Sequence, residues 1–210
     1  MLKKKIAILG STGSIGKTLI NIIKKDKKNF EIILLSTNRN INKVLKQAKE
    51  FKVKNIIISD LNSFLKAQYK FKKANIKIYN DFNNLDKIFK KKINYTMSAI
   101  SGIQGLKPTI EMIKYTKNIA IANKEAIICG WHIISKLSKK YKTKIIPIDS
   151  EHFSINQLTQ NVSNEEIQKI YLTASGGPFL KRPLKTFNSI KPTEAIKHPK
   201  WKMGYKNSID

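Results

Sequence analysis

The chain has 210 residues, 41% hydrophobic content and a formal net charge of +27. That apolar share supports a packed core and excludes a disordered chain, and the length allows one or two domains. A single cysteine, Cys129, excludes a disulfide framework and a multi-cysteine zinc site.

The elements alternate along the chain. Lys5–Leu9 reads as an apolar strand, too short for a signal peptide or a membrane span. Ser14–Lys25 has helical period, Glu31–Ser36 is a second strand, and Ile41–Phe51 a second helix. Short strands follow at Asn55–Ser59 and Ile76–Tyr79, and another at Ile93–Ala99. Gly105–Tyr115 is a helix, Asn118–Ala122 a strand, Lys124–Tyr141 a long helix and Lys144–Ile148 a strand. Strands separated by helices predict an α/β fold, a doubly wound parallel sheet of the Rossmann-like kind. The lysine runs at 70–73 and 90–92 and the Asn83-Asn84 pair read as solvated faces, and Cys129 as a buried core thiol. After residue 150 the pattern changes. Ile167–Thr173 reads as a strand, Thr186–Ala195 as a turn and short helix, and His198–Gly204 as an irregular segment. The expected domains are therefore 1–149, closed, and 150–210, the incomplete beginning of a second domain.

Two motifs carry chemistry. Gly10-Ser-Thr-Gly-Ser-Ile-Gly16 sits between the first strand and the first helix. Glycine permits close backbone approach, and a helix N-terminus offers free N–H groups to a pyrophosphate. At the end of the second strand stands Ser36-Thr-Asn-Arg-Asn40. An NAD site places a carboxylate there for the ribose 2′-OH, whereas a basic residue suits a 2′-phosphate. With Arg39 and no acid, NADPH is the expected cofactor. Farther on, Asp149-Ser-Glu-His152 leaves the strand Lys144–Ile148. Carboxylates at i and i+2 suit a hard divalent cation, while Ser150 as a helix cap with Glu151 near the helix dipole is the alternative.

Lysine, isoleucine and asparagine are abundant while arginine, alanine and glycine are scarce. Lysines spread over the whole chain, without a basic stripe interleaved with aromatic residues, read as drift toward AT-rich codons. A nucleic-acid-binding module is the rival from another class, and charge alone argues poorly for it.

Five segments occur in one order: Gly10–Gly16, Ala122-Asn-Lys-Glu125, Pro147-Ile-Asp-Ser-Glu-His152, Thr173-Ala-Ser-Gly-Gly-Pro-Phe179 and His198-Pro-Lys-Trp-Lys-Met-Gly204. Together they resemble the 1-deoxy-D-xylulose 5-phosphate reductoisomerase family. The resemblance covers the whole chain and about half of the family enzyme. It implies a Rossmann-like NADPH domain, the start of an α+β catalytic domain, and a C-terminal helical domain absent from this sequence. It implies NADPH- and metal-dependent conversion of 1-deoxy-D-xylulose 5-phosphate to 2-C-methyl-D-erythritol 4-phosphate, the metal being Mg²⁺ or Mn²⁺ or Co²⁺, in a cytoplasmic homodimer without membrane or nucleic-acid partners. By the same resemblance Thr12, Gly13, Ser14 and Ile15 hold the cofactor phosphates, and Arg39 and Asn40 its 2′-phosphate. Asn38 stands where the family commonly has glycine. Asn123, Glu125 and Gly204 meet the cofactor. Asp149 and Glu151 bind the metal, and Lys124 and Glu151 are catalytic. Lys124, Ser150, Glu151, Ser175, His198 and Trp201 face the substrate, with Trp201 and Met203 on a flap. His132 and His152 are structural, His152 orienting the metal loop. A third metal carboxylate and further substrate groups are expected beyond Asp210. Another NADPH-linked dehydrogenase, and an inactive fragment that only binds NADPH, are the alternatives.

Overall fold

A computed structural model describes residues 2–71, 75–173 and 176–199. The chain divides into two compact units, 1–158 and 159–210.

The first unit holds seven strands: β1 (Lys4–Leu9), β2 (Phe30–Thr37), β3 (Asn55–Ile58), β4 (Lys77–Tyr79), β5 (Ile93–Ser98), β6 (Thr116–Ile121) and β7 (Lys144–Pro147). All neighbours pair in parallel in the order β4-β3-β2-β1-β5-β6-β7. The helices are α1 (Ser14–Lys25), α2 (Ile41–Phe51), α3 (Leu61–Phe71), α4 (Leu85–Ile88), α5 (Leu106–Ile113), α6 (Lys124–Tyr141) and α7 (Ser150–Thr159).

Strand β1 explains why the sheet is covered on both faces. Ile6 and Ile8 enter one core with Ile20 and Ile23 of α1, Val44 and Ala48 of α2, and Ala67 of α3. Ala7 and Leu9 point the other way, into a core with Leu85 of α4, Met112 and Ile113 of α5, and Ile134 of α6. Side chains alternate across a strand, so a continuously apolar strand needs apolar cover on each side. The order reverses at β1, which lies between β2 and β5. In such sheets the ligand crevice opens at the carboxyl ends of the strands flanking that reversal.

Three departures from the expected elements have physical reasons. Helix α3 was not expected, because Leu61, Leu65 and Tyr69 are exposed and Ala67 alone among its described side chains is fully buried, which leaves a faint apolar stripe. Its start is set by Asp60, whose Oδ2 accepts the Ser63 N–H at 2.9 Å. Cys129 is exposed, not a core thiol. The buried stripe of α6 runs through Ala126, Gly130 and Ile134, and residue 129 falls outside it. Ile167–Thr173 forms no regular strand, and Ile170, Tyr171 and Leu172 are exposed. No strand pairs with it among the described residues, and a lone extended segment leaves its backbone groups to water.

Helix α7 belongs mostly to the first unit, which runs to residue 158. The second unit has a short helix, α8 (Pro192–Ala195), and 3₁₀ turns, including Leu184–Ser189. Arg182 ties this unit together. Its Nη1 lies 2.9 Å from Glu194 Oε1, its Nη2 3.0 Å from Ser189 Oγ, and its guanidinium 5.7 Å from the Phe179 ring centre.

Candidate functional site

The glycine loop leaves β1 at the reversal point. Gly10 has φ +77, and a Cβ there would meet the Ala99 carbonyl oxygen at 2.7 Å. A Cβ on Gly16 would lie 2.4 Å from the Gly10 oxygen. Both positions therefore exclude side chains. The loop is bolted to the end of β2 and to α2. Gly10 N–H donates to Ser36 Oγ at 2.9 Å, and the Thr12 and Thr37 hydroxyls are 2.7 Å apart. Ser11 Oγ donates to Gln47 Oε1 at 2.8 Å, and the Gln47 amide returns a bond to the Ser11 carbonyl at 3.0 Å. No side chain caps α1, and its first turn carries no acid. An anion placed there meets backbone N–H groups and the positive end of the helix.

A cavity of about 800 Å³ opens beside this loop, lined by Gly10, Thr12 and Gly13, by the ends of β2 and β3, and by residues 99–101 after β5. Its position and volume suit an extended nucleotide. Ser14 and Ile15 open α1 next to it.

The end of β2 carries Arg39, which is 79% exposed, with its Nε 3.2 Å from Asp60 Oδ1. The sequence shows no acid at this strand end; the fold supplies one from β3. That acid is already engaged. Ser63 hydrogen bonds, and then Arg39, hold the Asp60 carboxyl below its ordinary value. Asp60 thus orients Arg39 and caps α3. Asn40 caps α2, its Oδ1 accepting the Lys43 N–H at 3.2 Å. Asn38 donates to Ser59 Oγ at 3.0 Å.

Asn123 is buried and its amide is fully used. Its Oδ1 accepts the Ala126 N–H at 2.9 Å, capping α6, and its Nδ2 donates to the carbonyls of Ile100 and Gly102. It ties the loop after β5 to the loop after β6. Any effect of Asn123 on a ligand through its side chain runs through that tie. Glu125 is half-buried on the first turn of α6.

Lys124 begins α6, and its Nζ lies 3.2 Å from Glu151 Oε2 at the start of α7. Glu151 is held below the ordinary carboxylate value by a backbone hydrogen bond of its own and by Lys124. Asp149 precedes α7 and its side chain is only 8% exposed. Oδ1 accepts the His152 N–H at 3.1 Å and stands 2.7 Å from His152 Nδ1. Burial pushes the Asp149 carboxyl upward, but the His152 bonds outweigh it and keep it below the ordinary value. The helix cap expected at Ser150 is therefore Asp149, with His152 orienting it. Ser150 is exposed as the first residue of α7.

Asp149 Oδ2 is buried and has no hydrogen-bond partner among the described residues. An ionised carboxylate oxygen facing no donor is a costly arrangement that a cation relieves. Hard divalent cations take such oxygens. Asp149 and Glu151 therefore fit a cation, although no group of three or more His, Cys, Asp or Glu residues is assembled among the described residues.

His198 is buried in the second unit. Ser175, Trp201, Met203 and Gly204 lie outside the described residues. His132 is exposed on α6. The sequence reading missed Asp60, Gln47 and the tie from Ser36 to Gly10. Gln47 carried the clearest signal, a polar residue on the apolar face of α2 between Val44 and Ala48.

A doubly wound parallel sheet with a glycine loop at its reversal point defines a dinucleotide-binding α/β protein. The carboxylates of Asp149 and Glu151 follow the last strand of that sheet. The family described as 1-deoxy-D-xylulose 5-phosphate reductoisomerase matches residues 6–130, and its C-terminal domain matches residues 145–210. The chain belongs to the 1-deoxy-D-xylulose 5-phosphate reductoisomerase family.

A 1-deoxy-D-xylulose 5-phosphate reductoisomerase of Pelagibacter ubique (strain HTCC1062) is 56% identical over 209 residues, covering 99% of this chain and 54% of the relative. The enzyme of Zymomonas mobilis in complex with NADPH superposes with a TM-score of 0.85 at 28% identity, over 94% of this chain and 52% of that one. A DOX-P reductoisomerase in complex with NADPH, fosmidomycin and magnesium gives 0.82 at 32% identity, over 99% of this chain and 54% of that one. The chain spans about half the length of the curated relatives it matches. No described helix is long and apolar enough to cross a membrane.

Proposed function

We propose that this chain forms the NADPH-binding and substrate-chelating part of a 1-deoxy-D-xylulose 5-phosphate reductoisomerase, working in the cytoplasm as a homodimer. The single observation that carries it is the buried, unpartnered Asp149 Oδ2 next to the Lys124–Glu151 pair, on the sheet edge that also bears the glycine loop. Family membership and the NADPH and magnesium complexes of the solved relatives support it.

Each group has a task that its chemistry allows. The start of α1, through Thr12, Gly13, Ser14 and Ile15, receives the pyrophosphate on N–H groups. Arg39 and Asn40 receive the 2′-phosphate. Asn123 holds the two loops that flank the nicotinamide end, with Glu125 beside the cofactor, and the family resemblance assigns Gly204 to the cofactor as well. Asp149 and Glu151 hold Mg²⁺ or Mn²⁺. Lys124, carrying an ammonium, exchanges its Glu151 partner for an anionic substrate oxygen. Ser150 adds a substrate contact within this unit, and the family resemblance assigns Ser175, His198 and Trp201 to the substrate as well. When bound, NADPH supplies the hydride and the cation stabilises oxyanions of the rearranging ketose phosphate. Asp149 stays anionic at neutral pH because His152 stabilises the charge.

The test uses the protein at the full length of its relatives. Asp149→Asn and Glu151→Gln abolish ketose-phosphate-dependent NADPH oxidation and leave the NADPH Kd unchanged, because neither touches the glycine loop. Full turnover of either variant in chelator-treated buffer contradicts the metal role.

A second reading draws on the two-carboxylate count. Magnesium bound through only two carboxylates fills the rest of its octahedral shell with water and is held weakly. The described residues assemble no third acidic, His or Cys ligand. A polypeptide of these 210 residues alone then binds NADPH without turnover.

A further inference from the structure

Beyond the glycine loop lies a second cavity of about 570 Å³, lined by Arg39, Asn40, Ile41, Asn42, Lys66 and Lys70. It shares no lining residue with the nucleotide cavity, but Asn38 of that cavity immediately precedes Arg39 of this one in the chain. Its floor is the N-terminus of α2, whose first turn carries no acid. Its far wall is α3, where Lys66 and Lys70 are one helical turn apart and share a face. Lys70 Nζ reaches across and donates to Asn42 Oδ1. Three cations and a helix N-terminus thus face one small space.

We propose that Lys66 and Lys70 of α3 join Arg39 in binding the 2′-phosphate of NADPH, so that α3 as well as the end of β2 sets cofactor choice. The inference rests on the nucleotide reading above and assigns two residues to it that neither the glycine loop nor the β2 end supplies.

The chemistry follows from charge and geometry. Among the described residues Arg39 is engaged through Nε alone, by Asp60 Oδ1 at 3.2 Å, which leaves its terminal nitrogens for a ligand. A phosphate monoester carries close to two negative charges and three acceptor oxygens at neutral pH. One guanidinium neutralises half of that. An ammonium is a compact charge that completes it, in the way a lysine assists a phosphate cradle. NADH has a hydroxyl in that place and gains nothing from either lysine. Asp60 does not repel the phosphate strongly, because Arg39 and the Ser63 N–H already compensate its charge. The α2 N-terminus adds to the attraction at short range.

Lysines are dense everywhere on a chain of net charge +27, so a general field must be separated from a local contact. Lys90 and Lys91 are exposed just before β5, at the opposite edge of the sheet. The experiment titrates NADPH and NADH separately into the unaltered chain, the Lys66→Ala/Lys70→Ala variant and the Lys90→Ala/Lys91→Ala control, at one ionic strength. Alanine is a good helix former, so α3 persists. The expected result is an NADPH-over-NADH preference reduced about tenfold in Lys66→Ala/Lys70→Ala, with the NADH Kd unchanged. The control keeps its preference within about twofold. A preserved preference in Lys66→Ala/Lys70→Ala, or an equal fall in the control, overturns this inference while leaving the nucleotide reading standing. Failure of the unaltered chain to bind either nucleotide overturns both.

Discussion

At the scale of single residues, acids do the positioning. Asp60 and Asp149 both cap helices that follow strands, and both hold a basic or imidazole partner on the same carboxylate. Asp60 has its pKa lowered by Ser63 first and Arg39 second. A carboxyl whose folded pKa is depressed stabilises the fold fully above its unfolded value, and that contribution fades as pH falls through the folded value. Asp60→Ala should therefore melt below the unaltered protein at pH 7. The gap should shrink as pH drops below the ordinary 3.8. Thermal melts at pH 7 and near pH 3 check this, and a gap that widens on acidification contradicts it. The residues legible from sequence were those whose role is local. The glycine loop needs no partner to be recognised, and Asp149-Ser-Glu151 follows a strand end directly. Asp60 was not legible, because its meeting with Arg39 depends on β3 lying beside β2. Asn123 was legible as part of a motif. Its three hydrogen bonds were not, because two go to residues 21 and 23 positions earlier.

At the scale of elements, the scarcity of glycine has a cost. Helices α2 and α6 both end on lysine in the left-handed conformation, Lys52 at φ 54 and Lys142 at φ 50. That position usually carries glycine, and a side chain there is unfavourable by about 1 kcal/mol. Lys52→Gly and Lys142→Gly should each stabilise the fold by about 0.5–1 kcal/mol, measured by denaturant unfolding. A loss of stability in either contradicts the backbone reading. Strands β1, β2 and β6 were legible because each carries a short apolar run, Ile6–Leu9, Ile32–Leu35 and Ile119–Ile121. Helix α3 was hidden because its exposed face holds Leu61, Leu65 and Tyr69. Strong amphipathic contrast, as in α2 with Val44, Gln47 and Ala48 inward, is what makes a helix readable. Ile167–Thr173 shows the converse. A run with strand character forms a strand only where another strand supplies its hydrogen bonds.

At the scale of the whole chain, the first unit carries a complete sheet with two cores, and its carboxyl edge gathers the glycine loop, Arg39, Asn123, Lys124 and Asp149. The parallel topology alone brings residues 10 to 151 to one edge, where motifs far apart in sequence are placed together. The excess of positive charge favours anionic ligands without choosing among them. The proposed choice lies in the loop and in the basic corner at α2. The most direct measurement is a titration of NADPH and NADH into the polypeptide of residues 1–210, followed by nucleotide fluorescence, alongside the Gly16→Val variant. The predicted result is saturable binding, tighter for NADPH than for NADH, and lost in Gly16→Val, whose side chain would collide with the Gly10 carbonyl oxygen. Equal affinities for the two nucleotides, or no saturable NADPH binding at all, would contradict it.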